Sequence, residues 1–312
     1  MARFSIGTAV GEGFGLIKRR PLSVFVWGLL TVLPVAAAMA FMMPMMEAFT
    51  GSMVEVVADG ETASTGVRES MMAHMMQMQA VMAPLNVVRF VLGVVIYAAV
   101  VRAVVRPRDS SFFSLRLSMD EVRVFVVSLA LVIGVVVGVI LLTLLFVALG
   151  AALWQFVGPA KGLVVAVLII GGILVALLLG GRLGLMVPAT VHFRTFAFAE
   201  GWKLGKGKSW SLVGLMLVLV LIVIGLEMVI GGIVAGAMFA VMGQGGIDFA
   251  SLEAGGNPLA GLSDLARANW PWVVVAVAVA AMLHGMLMTI LTAPFASVVR
   301  QLSAADEAPA EH

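Results

Sequence analysis

A long apolar run covers residues 211–242, which read SLVGLMLVLVLIVIGLEMVIGGIVAGAMFAVM. Its only charged residue is Glu227, near the middle of the run. A helix needs about 20 apolar residues to cross a hydrocarbon core of about 30 Å, and this run exceeds that length. Because a chain in lipid must satisfy its backbone hydrogen bonds within the segment, the run predicts a transmembrane α-helix.

Similar runs recur along all 312 residues, of which 62% are hydrophobic and only 12% charged. Soluble proteins carry about a quarter charged residues, so this composition favours a membrane protein. We predict an all-α polytopic membrane bundle of six transmembrane helices, with spans at about 22–46, 85–105, 123–150, 162–187, 211–242 and 271–296. These spans form a single transmembrane domain over residues 1–302. Residues 303–312 are expected to be a disordered cytoplasmic tail.

Basic residues are concentrated in alternate connections between the predicted spans. The richer set lies at residues 3–20, 102–123, 182–208 and 300, and the poorer set consists of Arg68, Arg89, Lys161 and Arg267. Cytoplasmic loops carry the excess of Lys and Arg, so both termini are predicted to be cytoplasmic. No basic patch with interleaved aromatic residues is present, which argues against nucleic-acid binding.

The two long connections on the opposite side differ in character. Residues 70–82 of the first connection read SMMAHMMQMQAVM and predict a helix of their own. The second connection, residues 243–270, is rich in glycine and predicts an irregular loop.

An internal repeat links two segments that precede odd-numbered spans. Residues 12–20, EGFGLIKRR, match residues 200–208, EGWKLGKGK, at the Glu, Gly, aromatic, Leu and basic positions. A weaker counterpart, with Asp120 and Glu121 between Arg116 and Arg123, precedes the third span. The simplest architecture is three tandem hairpins, each preceded by an amphipathic cytoplasmic segment.

The segment at residues 199–207, AEGWKLGKG, directly before the fifth span, also carries a family resemblance. It resembles the uncharacterised six-helix bacterial inner-membrane proteins grouped with the glycerophosphodiester phosphodiesterase membrane-domain family. That resemblance implies a multi-pass protein of the bacterial inner (cytoplasmic) membrane with no established activity. It does not imply a phosphodiesterase, because no soluble segment of this chain is long enough for the catalytic domain found in some relatives.

Two ionisable residues lie midway along predicted spans, Glu227 in the fifth and His284 in the sixth. Charged groups at the bilayer centre are costly and usually face a bundle interior or a cavity. Since these spans are consecutive and antiparallel, the two side chains are expected to reach similar depth as an intramembrane polar pair. Such a pair is typical of an interhelical hydrogen bond and also of a proton-coupling site.

Methionine is the second unusual feature, with 22 in the chain. Met71, His74, Met75 and Met78 have the helical spacing of a soft-metal site for Cu(I), since thioethers are soft ligands. The same spacing, continued at Met82, is typical of an amphipathic helix on a membrane, and we assign no metal ligand and no cofactor.

Three glycine pairs at small-xxx-small spacing predict close helix approach, either within the bundle or in a homo-oligomer. These pairs are Gly134 with Gly138, Gly180 with Gly184, and Gly232 with Gly236.

The catalytic motifs GxSxG, HExxH and GxxxxGK[ST] are absent from the sequence. We therefore expect a non-enzymatic membrane protein that organises membrane lipids or protein partners. The alternative is a small proton-coupled transporter or permease that uses Glu227 and His284.

Overall fold

The computed structural model describes residues 4–59, 65–108, 113, 115, 118–154, 158–243, 259 and 261–307, and this part of the chain is helical almost throughout, without a β-strand. The helices, in chain order, are α1 (Ile6–Arg19), α2 (Pro21–Asp59), α3 (Thr65–Val105), α4 (Met119–Trp154), α5 (Lys161–Leu183), α6 (Met186–Phe193), α7 (Phe198–Leu204), α8 (Ser209–Gly243), α9 (Leu262–Ala268) and α10 (Trp270–Glu307). A 3-10 turn at Gly158–Ala160 precedes α5.

Six segments of the described part of the chain are long and apolar enough to cross a membrane. They cover Pro21–Val54, Glu69–Val105, Met119–Trp154, Lys161–Phe193, Ser209–Ile233 and Trp270–Ala305. The predicted all-α class with six membrane spans is therefore confirmed. The segments correspond one to one with the six apolar runs of the sequence, because length and apolar composition are what a spanning helix requires.

Several helices extend beyond the predicted spans. Residues 70–82 do not form a separate helix, because they continue directly into the second span as part of α3, with Pro84 inside the helix. The predicted irregular connection at 243–270 contains α9. Residues 303–307, assigned to the tail from sequence, belong to the last turns of α10, and Leu302 and Ser303 there are buried.

The fourth span, Lys161–Phe193, is interrupted between α5 and α6. The predicted span at 162–187 includes Gly184, where α5 has already ended, and a short turn separates it from α6. A methyl group on Gly184 would come within 2.8 Å of the Phe295 ring. The absence of a side chain at Gly184 therefore lets Phe295 pack against this turn.

Contacts between residues divide the chain into two compact units, whereas the sequence was interpreted as a single domain. Unit 1 contains residues 1–21, 94–222 and 288–312, and unit 2 contains residues 22–93 and 223–287. The divisions fall inside α3, α8 and α10 and after Pro21, the first residue of α2, so no linker in the sequence marks them. All basic residues of the predicted cytoplasmic set that the structure describes belong to unit 1.

Unit 1 is built around a core to which the short helices contribute. Leu185, Ala189 and Ala197 are fully buried in it, together with Leu212 and Leu302. Amphipathic α1 buries Ala9, Gly13 and Leu16, and Gly13 lies so close to α10 that an added methyl group would sit 3.3 Å from the Ile290 Cα. The spacing of these three positions, i, i+4 and i+7, places them on one face of the helix.

Unit 2 contains the closest helix crossing that the structure describes. A methyl group on Gly28 of α2 would overlap the carbonyl oxygen of Ala281 in α10, and one on Gly285 would overlap the carbonyl oxygen of Val24. The two backbones therefore meet directly, which only glycine permits.

The predicted small-xxx-small pairs do not make such a crossing. Nothing lies within 4 Å of a methyl group built on Gly134, Gly138, Gly232 or Gly236. A methyl group on Gly180 would meet only the flexible end of Met216. Within one copy of the described chain these pairs therefore make no backbone-to-backbone crossing, although Gly184 packs against the Phe295 ring, and their role in a homo-oligomer stays a prediction.

Candidate functional site

The two ionisable residues predicted at mid-membrane both belong to unit 2. Glu227 lies on the exposed side of α8, and His284 is half-buried on α10. The charge of Glu227 acts on the His284 imidazole. Within the described residues, however, neither side chain makes a hydrogen bond or an ion pair. The two groups are near enough to interact electrostatically without a direct bond between them.

Sequence analysis missed a third member of this group, Arg89. Arg89 lies on α3 inside the second span, within the predicted range 85–105, although it was counted among the basic residues of a connection. A signal was present, because Arg89 interrupts an otherwise apolar run. A guanidinium in a spanning helix needs a counter-charge or access to water, and Glu227 supplies a carboxylate of opposite sign in the same unit.

The methionine-rich segment is the N-terminal half of α3. Met71, His74 and Met78 are half-buried, whereas Met75 is exposed. The Nδ1 atom of His74 is buried and has no hydrogen-bond partner among the described residues. No group of three His, Cys, Asp or Glu in the described chain could hold a metal ion. The copper hypothesis, which depends on thioethers, stays a prediction.

Two short helices of unit 1 carry basic and aromatic side chains outward. On α1, Phe14, Lys18 and Arg19 are exposed on the side opposite the buried stripe. On α7 and the turn after it, Gly201 and Leu204 are buried while Trp202, Lys203 and Lys206 are exposed. An added methyl group on Gly201 would sit 2.6 Å from the Met186 Cα, so α7 is held tightly against α6.

Trp202 is also held in place by a cation. The Arg182 guanidinium lies 5.1 Å from the centroid of its indole ring and donates hydrogen bonds of 3.0 and 2.7 Å to the Ser209 hydroxyl. This stacking favours one orientation of the indole, and it fixes the aromatic side chain next to the exposed lysines.

An ion-pair network ties α1 to the ends of two long helices. The Glu12 carboxylate accepts hydrogen bonds from Arg19 and, at 2.9 Å, from Arg300. Arg300 also donates to the Val104 carbonyl at 2.8 Å. Burial alone would raise the pKa of Glu12, but the hydrogen bonds and charges of Arg300 and Arg19 outweigh it, and the pKa lies below its ordinary value.

A second network joins α3 to the start of α4. Arg102 and Glu121 form an ion pair in which both side chains are buried. Asp120 is shared between Arg106 at 3.2 Å and Arg123 at 3.1 Å. Glu121 also accepts hydrogen bonds from the backbone N–H and hydroxyl of Ser118, which closes a capping box at the helix start.

Sequence analysis interpreted these residues only as orienting charges and as a weak repeat. The sequence signal that could have predicted the network is a pair of basic residues at one helix end followed by a pair of acidic residues at the next helix start. Arg102 and Arg106 are four residues apart at the end of one helix, and Asp120 and Glu121 open the next one. Of the predicted segment from Arg116 to Arg123, residues 119–123 belong to the start of α4, and Arg116 lies outside the described residues.

Comparisons with known proteins add no relative. No protein-family model matches the chain. No curated protein matches it, and neither does any solved structure.

Proposed function

We propose that this chain is a non-enzymatic protein of the bacterial inner membrane, with both termini in the cytoplasm, that organises anionic lipids at its cytoplasmic side. One observation carries the proposal. Both α1 and α7 bury a glycine and a leucine against their own unit and turn aromatic and basic side chains outward. This arrangement is typical of helices that lie in a membrane interface.

The energetics favour such a role. A basic residue near an anionic membrane surface contributes about 1 kcal/mol, so the exposed Lys18, Lys203 and Lys206 act together. Phe14 and Trp202 supply rings that prefer the depth of the headgroups. Because both helices are packed against their unit, their basic faces form a preorganised surface and need no folding on contact with lipid.

The hairpin of α4 and α5 supports contact with lipid along its length. Of the apolar window in the third span only 11% is buried, and of that in the fourth span none is. Side chains such as Ile133, Leu144 and Ile170 are more than half exposed on these helices. The surface that this hairpin presents is therefore suited to acyl chains, and it is equally open to a protein partner or a second copy.

Reconstitution in nanodiscs that contain neutral and anionic phospholipid tests the proposal. The lipids retained after extraction are counted by native mass spectrometry for the wild type and for Lys203→Gln/Lys206→Gln. A control that loses the same charge elsewhere is Lys161→Gln/Arg267→Gln. We expect the first variant to lose anionic lipids, by about 1 kcal/mol of affinity per lysine, and the control to keep them. Equal retention by the wild type and both variants would refute the lipid role.

A second candidate function is a small proton-coupled transporter or permease. It is favoured by one observation, that Glu227, His284 and Arg89 all lie in helices of one compact unit. Nanodisc purification followed by mass spectrometry of everything retained compares the wild type with Glu227→Gln. A small solute lost only in the variant would support transport, whereas lipids kept by both proteins would support the organising role.

We also retain the proposal that the chain belongs with the inner-membrane proteins of the glycerophosphodiester phosphodiesterase membrane-domain family. Its support is the EGWKL segment before α8 together with six spanning helices.

A further inference from the structure

A polar cavity of about 320 Å³ lies in unit 1 beside the start of α4. Its size is at the small end of the range for ligand pockets, about 300–1,000 Å³. The side chains that line it are Arg102, Arg106, Ser118, Met119, Asp120, Arg123 and Arg194.

The charges around this cavity do not balance. Both nearby carboxylates are already engaged, Glu121 by buried Arg102 and Asp120 by Arg106 and Arg123. Arg194 lines the same cavity and has no ion pair or hydrogen bond to any residue that the structure describes. Four guanidinium groups therefore face two carboxylates, and the cavity has an excess of positive charge.

The fold fixes the side chain of Arg106 and the backbone of Arg194. Arg106 donates to the carbonyl oxygens of Val191 and, at 3.3 Å, His192, which are the last residues before the end of α6. Arg194 follows them as the C-cap, with φ of 56° and ψ of 33°. A left-handed conformation costs a non-glycine residue about 1–2 kcal/mol. Arg194 adopts it at a position where glycine would carry no such cost.

We propose that this cavity binds a phosphate group, carried either by a lipid headgroup or by a free phosphate compound. Guanidinium groups match phosphate oxygens with paired hydrogen bonds, and Arg194 and Arg123 keep unused donors toward the cavity. The N-terminus of α4 opens at Met119 on the cavity wall, and its dipole adds to the attraction for an anion. A single phosphate does not fill the volume, which leaves room for the group to which it is attached.

The inference is independent of the proposed lipid-organising function, because no residue of the basic faces of α1 and α7 lines the cavity. Loss of lipid retention in Lys203→Gln/Lys206→Gln leaves the cavity intact. Loss of phosphate binding in an Arg194 variant leaves the basic faces of α1 and α7 intact. Each of the two proposals can therefore be refuted without refuting the other.

The test uses the full chain purified in an uncharged detergent. One arm titrates inorganic phosphate by calorimetry, and the other measures binding of short-chain phosphatidic acid by native mass spectrometry, with phosphatidylcholine as the reference lipid. The variant is Arg194→Gly, which removes the guanidinium while glycine adopts a positive φ without strain. Arg123→Gln is a second variant, and Arg267→Gln on exposed α9 is the matched control.

We expect the affinity of Arg194→Gly for the phosphate probe to fall by about tenfold or more, with no decrease in the thermal midpoint, and that of Arg267→Gln to be unchanged. A decrease for inorganic phosphate identifies a free phosphate compound as the ligand. A decrease for phosphatidic acid alone identifies a lipid headgroup. The proposal is overturned if neither probe binds saturably, or if Arg194→Gly and Arg123→Gln bind both probes as tightly as the wild type.

Discussion

At the residue scale, the buried Arg102–Glu121 pair shows how charge is accommodated within unit 1. Their side chains are only 3% and 7% exposed, so each carries a desolvation cost that the partner offsets. Glu121 gains further hydrogen bonds from Ser118, and the pair thereby fixes the start of α4 relative to the end of α3. Such a pair contributes to specificity of packing more clearly than to net stability.

We predict that Arg102→Leu alone or Glu121→Leu alone destabilises the protein by about 3–5 kcal/mol, because each removes the opposite charge from beside a buried ionised side chain. The double variant Arg102→Leu/Glu121→Leu should recover most of this loss. Denaturant unfolding in detergent micelles, analysed as a double-mutant cycle, measures the coupling. Asp264→Ala in the exposed Asp264–Arg267 pair is the control and should cost less than about 1 kcal/mol. Additive effects of the two leucine substitutions would contradict the prediction.

A second prediction concerns pH and Glu12. Its pKa in the folded protein lies below the ordinary value of 4.5, so its ion pairs stabilise the fold fully above about that pH. The stabilisation is lost as the pH falls through the lower folded-state pKa. Between pH 6 and pH 3 the wild type should therefore lose more thermal stability than Glu12→Gln does. The control Glu200→Gln, on exposed α7, should follow the wild-type slope, and parallel slopes for the wild type and Glu12→Gln would exclude this role.

At the element scale, packing within unit 2 depends on one glycine contact. Gly28 and Gly285 let α2 and α10 meet backbone to backbone, next to fully buried Ala281. In a membrane, close van der Waals packing replaces the hydrophobic effect as the force that holds helices together. A crossing without side chains maximises that packing.

We predict that Gly28→Ala destabilises the protein by about 1–3 kcal/mol or more, since its methyl group meets a carbonyl oxygen rather than a flexible side chain. Gly225→Ala in α8 is the matched control. It has open space around the new methyl group, and alanine favours helix by up to about 1 kcal/mol over glycine. Unfolding of the purified variants in the same detergent separates the two effects. Equal stability of the two variants would show that the crossing tolerates a side chain.

The sequence predicted the spanning helices well, because a single physical requirement determines whether such a helix forms. Runs of apolar residues longer than a bilayer crossing identified all six spanning helices, because length and composition suffice. Helix ends were predicted less well. Outside the hydrocarbon core, a helix continues for as long as its residues are compatible with helix. α3 extends back to Thr65, beyond the predicted start at residue 70, because no strong helix-stop signal lies directly before that residue.

Contacts between distant positions were not predictable from local pattern. Gly28 and Gly285 lie at opposite ends of the chain, and although Gly285 has small-xxx-small spacing with Ala281, that pair was not identified from the sequence. Arg89 was assigned to a connection, although its position in an apolar run was visible. Glu227 and His284 were singled out only because placing an ionisable residue within an apolar span costs free energy.

At the scale of the whole molecule, the distribution of basic residues implies an orientation in the membrane. The basic residues of the richer set that the structure describes all belong to unit 1, whereas those of the poorer set are divided, with Arg89 and Arg267 in unit 2 and Lys161 in unit 1. This clustering fits a cytoplasmic position for α1 and α7, as the proposed function requires. The clustering of basic residues in unit 1 is defined by contacts in three dimensions. It is therefore a different observation from the order of the loops along the sequence.

The absence of cysteine from the sequence makes this orientation directly measurable. Lys206 and Asp264 are both exposed and lie before and after α8, so a single crossing separates them. We predict that an impermeant maleimide labels Asp264→Cys in cells whose outer membrane has been permeabilised, and labels Lys206→Cys only after the inner membrane is broken. The reverse pattern would place α1 and α7 outside the cytoplasm. Labelling of both positions from one side would mean that α8 does not cross the membrane, and either result would remove the basis for lipid organisation at the cytoplasmic face.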